Sequence, residues 1–106
     1  MRERVESDAV GVRFLLEDGF TYSFLWADVV HAFFYRVDVG HKAAMAFVTF
    51  DLHDGRYWEV HDEMEGFAAF VESLASHLPL SVPDWQEALR AARDEDRPMT
   101  IYGHSL

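Results

Sequence analysis

Residues 43–78 read AAMAFVTFDLHDGRYWEVHDEMEGFAAFVESLASHL, a strand, a tight turn, a second strand and a helix in succession. In the first strand Ala44, Ala46, Val48, Phe50 and Leu52 share one face of a period-two pattern. Met45, Phe47, Thr49, Asp51 and His53 share the other. Beyond the turn Trp58 and Val60 fall together, opposite Tyr57, Glu59 and His61. The two strands must agree on the buried side, because a one-residue slip moves every side chain to the wrong face. A two-residue Asp54-Gly55 loop would set Phe50 against Glu59 and Asp51 against Trp58. A three-residue connection puts Val48, Phe50 and Leu52 beside Trp58 and Val60, with Gly55 left-handed in a bulge. The pattern therefore predicts three residues.

The same reasoning applies at Leu16-Glu17-Asp18-Gly19-Phe20, where an odd loop aligns Val12, Phe14 and Leu16 with Phe20, Tyr22, Phe24 and Trp26. Two Asp-Gly hairpins with matching patterns predict an antiparallel meander. After the second hairpin, Asp62 and Glu65 stand in capping-box spacing, and acidic residues suit a helix N-terminus. Phe67, Phe70, Val71, Leu74 and Leu78 recur at helical spacing, so one stripe faces the sheet. Pro79 stops the helix.

Working outward, strands are expected at about 10–17, 20–26, 29–37, 43–53 and 56–61, and the main helix at about 63–78. Aromatic and β-branched residues favour a strand over Val29 to Val37. Apolar side chains on both of its faces suit a buried central strand and leave a helix open. Residues 1–8 are a frayed start or a short lead-in strand, and 38–42 a loop holding Lys42, the one lysine of the chain. Pro83 precedes a second helix at about 84–92, with Asp84 and Glu87 in capping spacing and a thin stripe of Trp85, Ala88, Leu89 and Ala92. Residues 99–102 alternate briefly, as a late edge strand would.

The 106 residues make one domain, 50% hydrophobic and 15% aromatic, a composition that excludes disorder. No apolar run approaches the roughly 20 residues of a membrane span. The first residues are charged where an export signal would be apolar, and cysteine is absent. A cytoplasmic location is the expectation. Missing thiols also exclude disulfides, thiolate metal sites and cysteine catalysis. The net charge of −10 is uneven. Residues 1–50 carry seven acids against five Lys or Arg, residues 51–106 twelve against four. That field repels phosphate backbones and anionic membranes, so neither nucleic-acid binding nor membrane insertion is expected. A basic protein partner suits it, as does mere solubility. Histidine's ordinary pKa near 6.5 means that acidification to about pH 5 lowers the negative charge and weakens a charge-dependent contact.

The run Trp26-x-Asp28-Val29, Tyr35-Arg36-x-Asp38, then Asp54-Gly55, Val60-x-x-Glu63-Met64-x-Gly66-Phe67 and Pro83-x-Trp85, is similar to a segment of small uncharacterised bacterial proteins. It resembles bacterial pleckstrin-homology-like domains, in which a tryptophan and an aspartate end one strand and a helix closes a bent sheet. The resemblance spans Trp26 to Trp85, extends weakly to Ile101-Tyr102, and carries over no ligand residues. It implies a curved half barrel, since five strands are counted against the seven of a complete one.

Candidate chemistry is sparse. Asp51 and His53 lie across the hairpin from Glu59 and His61, and cross-strand neighbours approach to roughly 4.5–5.5 Å at Cβ. Such a set can hold zinc or another divalent ion; the plainer reading is a solvated sheet face. Trp26 and Asp28 face a ligand or, more ordinarily, close the core and a turn. Asp62 and Glu63, with Glu65, form an acidic spot or simply a capped helix start. Tyr35, with Phe33 and Phe34, belongs to core and sheet surface rather than to an exposed aromatic platform. His31 reads as a satisfied buried imidazole. No phosphate loop, nucleophile elbow or HExxH helix is present, and no cofactor is expected.

The fold expected is α+β: a five-stranded antiparallel meander curved over a main helix, with a second short helix. The function expected is a non-catalytic binding or protein-interaction module, self-associating as a homodimer through a strand edge or engaging another protein. The alternative is an acidic immunity-type inhibitor of a basic toxin. A metal-dependent activity on the Asp51, His53, Glu59 and His61 face ranks third.

Overall fold

In the computed structural model, which describes residues 3–41 and 43–104, both hairpins close as their patterns require. Lys42 of the 38–42 loop lies outside the described residues. Strands β1 (Arg4–Ser7), β2 (Gly11–Leu15) and β3 (Thr21–Leu25) form one antiparallel sheet. Val12 lies opposite Phe24 and Phe14 opposite Tyr22. Strands β4 (Val29–Val37), β5 (Met45–Leu52) and β6 (Tyr57–His61) join β7 (Met99–Gly103) in a second sheet, ordered β6-β5-β4-β7. There Phe50 pairs with Trp58 and Val48 with Val60. Each turn has three residues, and Gly19 and Gly55 take φ of 86° and 92°. β4 is central, between β5 and β7, as its two apolar faces demand.

The single meander is overturned. β3 does not pair with β4, and the chain turns instead through a 3-10 segment, Trp26–Asp28, from one sheet to the other. Two bonds fix that corner. The Trp26 indole Nε1 donates to the Asp8 carbonyl at 2.7 Å, and the His53 amide donates to the Asp28 carbonyl at 3.0 Å. Asp8 in turn holds the β1–β2 turn: its carboxylate accepts from the Val10 and Gly11 amides and pairs with Arg13. The lead-in strand and the late edge strand are both formed, giving seven strands among the described residues rather than five. Among the described residues the two sheets share no strand ladder, so they pack as layers.

The inner faces meet in one core. Phe14, Phe24, Phe34, Val48, Phe50 and Val60 are buried there, and the Phe24 and Phe50 rings lie 5.3 Å apart. Full burial of each such side chain contributes about 1.5–3 kcal/mol. The helices close the core on the same side, through Phe70, Val71, Leu74, Trp85 and Leu89.

The main helix is shorter than its stripe suggests. Helix α1 spans Phe67–Ser73, followed by a 3-10 turn at Leu74–Ser76. Asp62 and Glu65 do not cap it: the residue before the helix is Gly66, left-handed at φ 89°. The backbone of Glu65 is spent elsewhere, accepting from the Val5 amide and donating to the Glu3 carbonyl, which clasps β1 to the helix start. A Cβ on Gly66 would lie 2.4 Å from the Val5 carbonyl oxygen, so the clasp needs glycine. Helix α2 spans Trp85–Ala91, and Asp84 makes no side-chain cap. Arg36 ties β4 to it, donating from Nε to the Leu89 carbonyl at 2.9 Å.

Candidate functional site

Because the other layers pack on the inner side, no second layer covers the outer face of the four-stranded sheet among the described residues. β4 contributes His31, Phe33 and Tyr35 to it, β5 Phe47, Thr49 and Asp51, and β6 Tyr57, Glu59 and His61. None of Phe33, Tyr35 and Phe47 joins the core. They stack on one another instead. Ring centroids are 5.0 Å apart for His31–Phe33, 6.1 Å for Phe33–Tyr35, 5.2 Å for Tyr35–Phe47 and 5.9 Å for Phe47–His61. The result is a continuous aromatic ladder running obliquely across three strands.

Polar groups frame the ladder. His31 is buried, its Nδ1 at 2.9 Å from the Asp51 carboxylate and its Nε2 at 2.9 Å from the Thr100 hydroxyl. The Tyr35 hydroxyl donates to Glu59 at 2.9 Å. Burial, and after it the Glu59 carboxylate, push the Tyr35 phenol up to about 12. The His61 Nε2 lies 2.9 Å from Glu3. At the end of that strand Glu3, Glu17, His61 and Glu63 line an open cleft of about 270 Å3.

The metal set is not assembled. The ladder of strand pairs ends at Asp51–Tyr57, so His53 sits in the turn and reaches Asp28, with Nε2 3.1 Å from Oδ1. Asp51 turns to His31, Glu59 to Tyr35 and His61 to Glu3. Thr49 and Tyr57 stand opposite Glu59 and Asp51, so the two carboxylates are diagonal rather than facing. Among the described residues no three His, Asp or Glu side chains gather to hold a metal ion.

The other candidates scatter. Trp26 is buried and stacked on His77, with centroids 4.9 Å apart. Asp28 holds the corner through its carbonyl and meets His53 with its carboxylate. Asp62 accepts from the Ala46 amide with its carboxylate, and Glu63 pairs with His41 at 2.8 Å. Tyr35 alone of these lies on the free face. The alternation puts Phe47 on the polar face of β5 without marking it as part of a site, while Phe33 and Tyr35, expected in core and sheet surface, lie half-buried on that same face. The signal was present: Phe33, Tyr35 and Phe47 share the parity of Asp51 and Glu59. Glu3 and Glu17, brought to His61 by the fold, carry no sequence signal at all.

No protein-family model, no curated protein and no solved structure matches the chain.

Proposed function

We propose that this chain is a non-catalytic protein-interaction module that docks a cationic partner on the free face of its four-stranded sheet. One observation carries the reading: stacked, half-buried rings of Phe33, Tyr35 and Phe47 lie on the outer face of the sheet beside the carboxylates of Asp51 and Glu59. Aromatic faces attract guanidinium and ammonium groups, and neighbouring carboxylates reinforce that attraction. The net charge of −10 adds long-range steering of a basic partner. An immunity-type inhibitor of a basic toxin is the form of this activity that the charge favours. The cysteine-free composition supports a cytoplasmic setting. Seven strands and a closing helix are in keeping with the pleckstrin-homology-like resemblance, although here the last strand follows both helices.

The test is an amide-shift titration of labelled protein with a short arginine-rich peptide. Shifts are expected to centre on β4, β5 and β6. The double variant Phe33→Ala with Phe47→Ala is expected to weaken binding about tenfold or more, since each lost cation–π contact contributes about 0.5–1 kcal/mol at an exposed site, alongside lost apolar contact. Shifts spread evenly over the acids of residues 51–106, unaffected by the double variant, would refute the site.

A further inference from the structure

Among the described residues there are four sheet edges, and three of them are guarded by charge, a bulge or backbone contacts. β1 is clasped to Glu65 and carries Arg4 and Glu6. β6 carries Glu59 and His61, and the His61 carbonyl accepts from the Met64 amide. β7 pairs with β4 through a bulge, and its Ile101 carbonyl accepts from the Ser81 amide at 2.7 Å. β3 is different. The Leu16 amide donates to the Phe20 carbonyl and the Trp26 amide to the Val10 carbonyl, which sets Phe20, Tyr22, Phe24 and Trp26 as the residues bonding inward to β2. The N–H and C=O groups of Thr21, Ser23 and Leu25 therefore point outward, and among the described residues nothing meets them.

This bare edge also lacks the features that normally guard one. Residues 19–27, GFTYSFLWA, contain no charge and no proline in a chain of net charge −10. Phe20, Tyr22 and Leu25 stand 64%, 38% and 48% exposed along it. An acidic partner copy is repelled by most of the surface, and this uncharged strand is where two copies can approach.

We infer that β3 pairs antiparallel with β3 of a second copy of this chain, joining the three-stranded sheets into one of six strands. The outward groups fix the register. Ser23 faces Ser23 of the partner across the two-fold axis, and Thr21 faces Leu25. The new ladder covers Leu25 on one face and Tyr22 on the other. Glu17 and Asp18 at the hairpin tip and Asp28 at the corner flank the strand, so the contact strengthens as salt screens them. This surface is separate from the aromatic face, and the inference does not rest on the cationic partner.

The absence of native cysteine gives a direct test. In the paired register the two Ser23 Cα atoms lie about 5.5 Å apart, within disulfide reach. The two Thr21 Cα atoms lie roughly 14 Å apart, four residues along the strand, and are out of reach. Ser23→Cys is expected to oxidise to a covalent dimer while Thr21→Cys stays monomeric. Sedimentation of the unmodified chain is expected to show a dimer that tightens from about 20 to about 500 mM salt. Ser23→Pro removes only an outward donor and is expected to abolish the dimer with the melting curve retained. If it unfolds the chain, Leu25→Glu on the exposed face reads the same contact. A monomer at every salt concentration, equal crosslinking of both cysteine variants, or a dimer that persists in the folded Leu25→Glu variant would overturn the pairing.

Discussion

Tyr35 shows how one side chain records the character of the aromatic face. Its phenol is raised because burial among rings disfavours the phenolate, and because the Glu59 carboxylate accepts a hydrogen bond from the neutral hydroxyl and repels the phenolate. The neutral form is favoured in the fold, so this contribution to stability is complete below the ordinary tyrosine value of 10 and is lost as pH rises through about 12. Absorbance at 295 nm is expected to show a tyrosine step above the ordinary value, and Glu59→Gln to bring that step down without returning it fully, since burial remains. The tryptophans give a second contrast. The Trp26 indole donates to Asp8, whereas the Trp85 Nε1 is buried with no partner. Trp26→Phe leaves the Asp8 carbonyl without its donor, losing a bond that contributes about 0.5–1.5 kcal/mol. Trp85→Phe discards an unpaired group, which offsets part of the lost packing. Urea denaturation is expected to rank Trp26→Phe as the more damaging; the reverse order would mean that the corner bond contributes little.

At the scale of elements, the hairpins were legible and the helix start was not. Alternation in β2 with β3 and in β5 with β6 admits one register, because a slip buries Glu59 or exposes Phe50, and local sequence alone decides it. The helix start was misread because Asp62 and Glu65 satisfy a local capping rule while a long-range contact overrides it. β1 takes the backbone of Glu65 into a bridge with Arg4, and Gly66 makes the bend. Nothing within 63–78 announces a partner sixty residues earlier. The corner at Trp26–Asp28 escaped for the same reason, since Asp8 and His53 fix it from a distance. The aromatic ladder is readable by parity, since Phe33, Tyr35 and Phe47 share a face with Asp51 and Glu59, but period-two alternation does not say which rings stack. Gly66→Ala tests the clasp directly. It must hold a left-handed backbone, at about 1–2 kcal/mol, and displace the Val5 carbonyl besides. A loss of at least that size in urea denaturation is expected, with faster amide exchange at Val5 and Glu65; unchanged exchange there would show that β1 is held by other contacts.

For the whole molecule, the two surfaces are predicted to answer salt with opposite signs. The aromatic face and its carboxylates attract a cationic peptide, and that attraction falls as the Debye length shrinks from about 30 Å at 0.01 M to about 8 Å at 0.15 M. The β3 edge brings together two chains of net charge −10, so screening removes a repulsion and the dimer tightens. The surfaces also belong to different sheets, with the core between them. One occupied surface therefore leaves the other open, and a dimer should bind two peptides without cooperativity. Calorimetry at low and high salt, on the unmodified chain and on Leu25→Glu, separates these terms. The expected result is one peptide per chain in every case, weaker binding at high salt, and closely similar affinity in the variant, whose one added charge lies on the other sheet. Half occupancy in the dimer would place the peptide at the two-fold edge instead, because a single site shared by two copies of β3 is the arrangement that halves the stoichiometry when the copies pair.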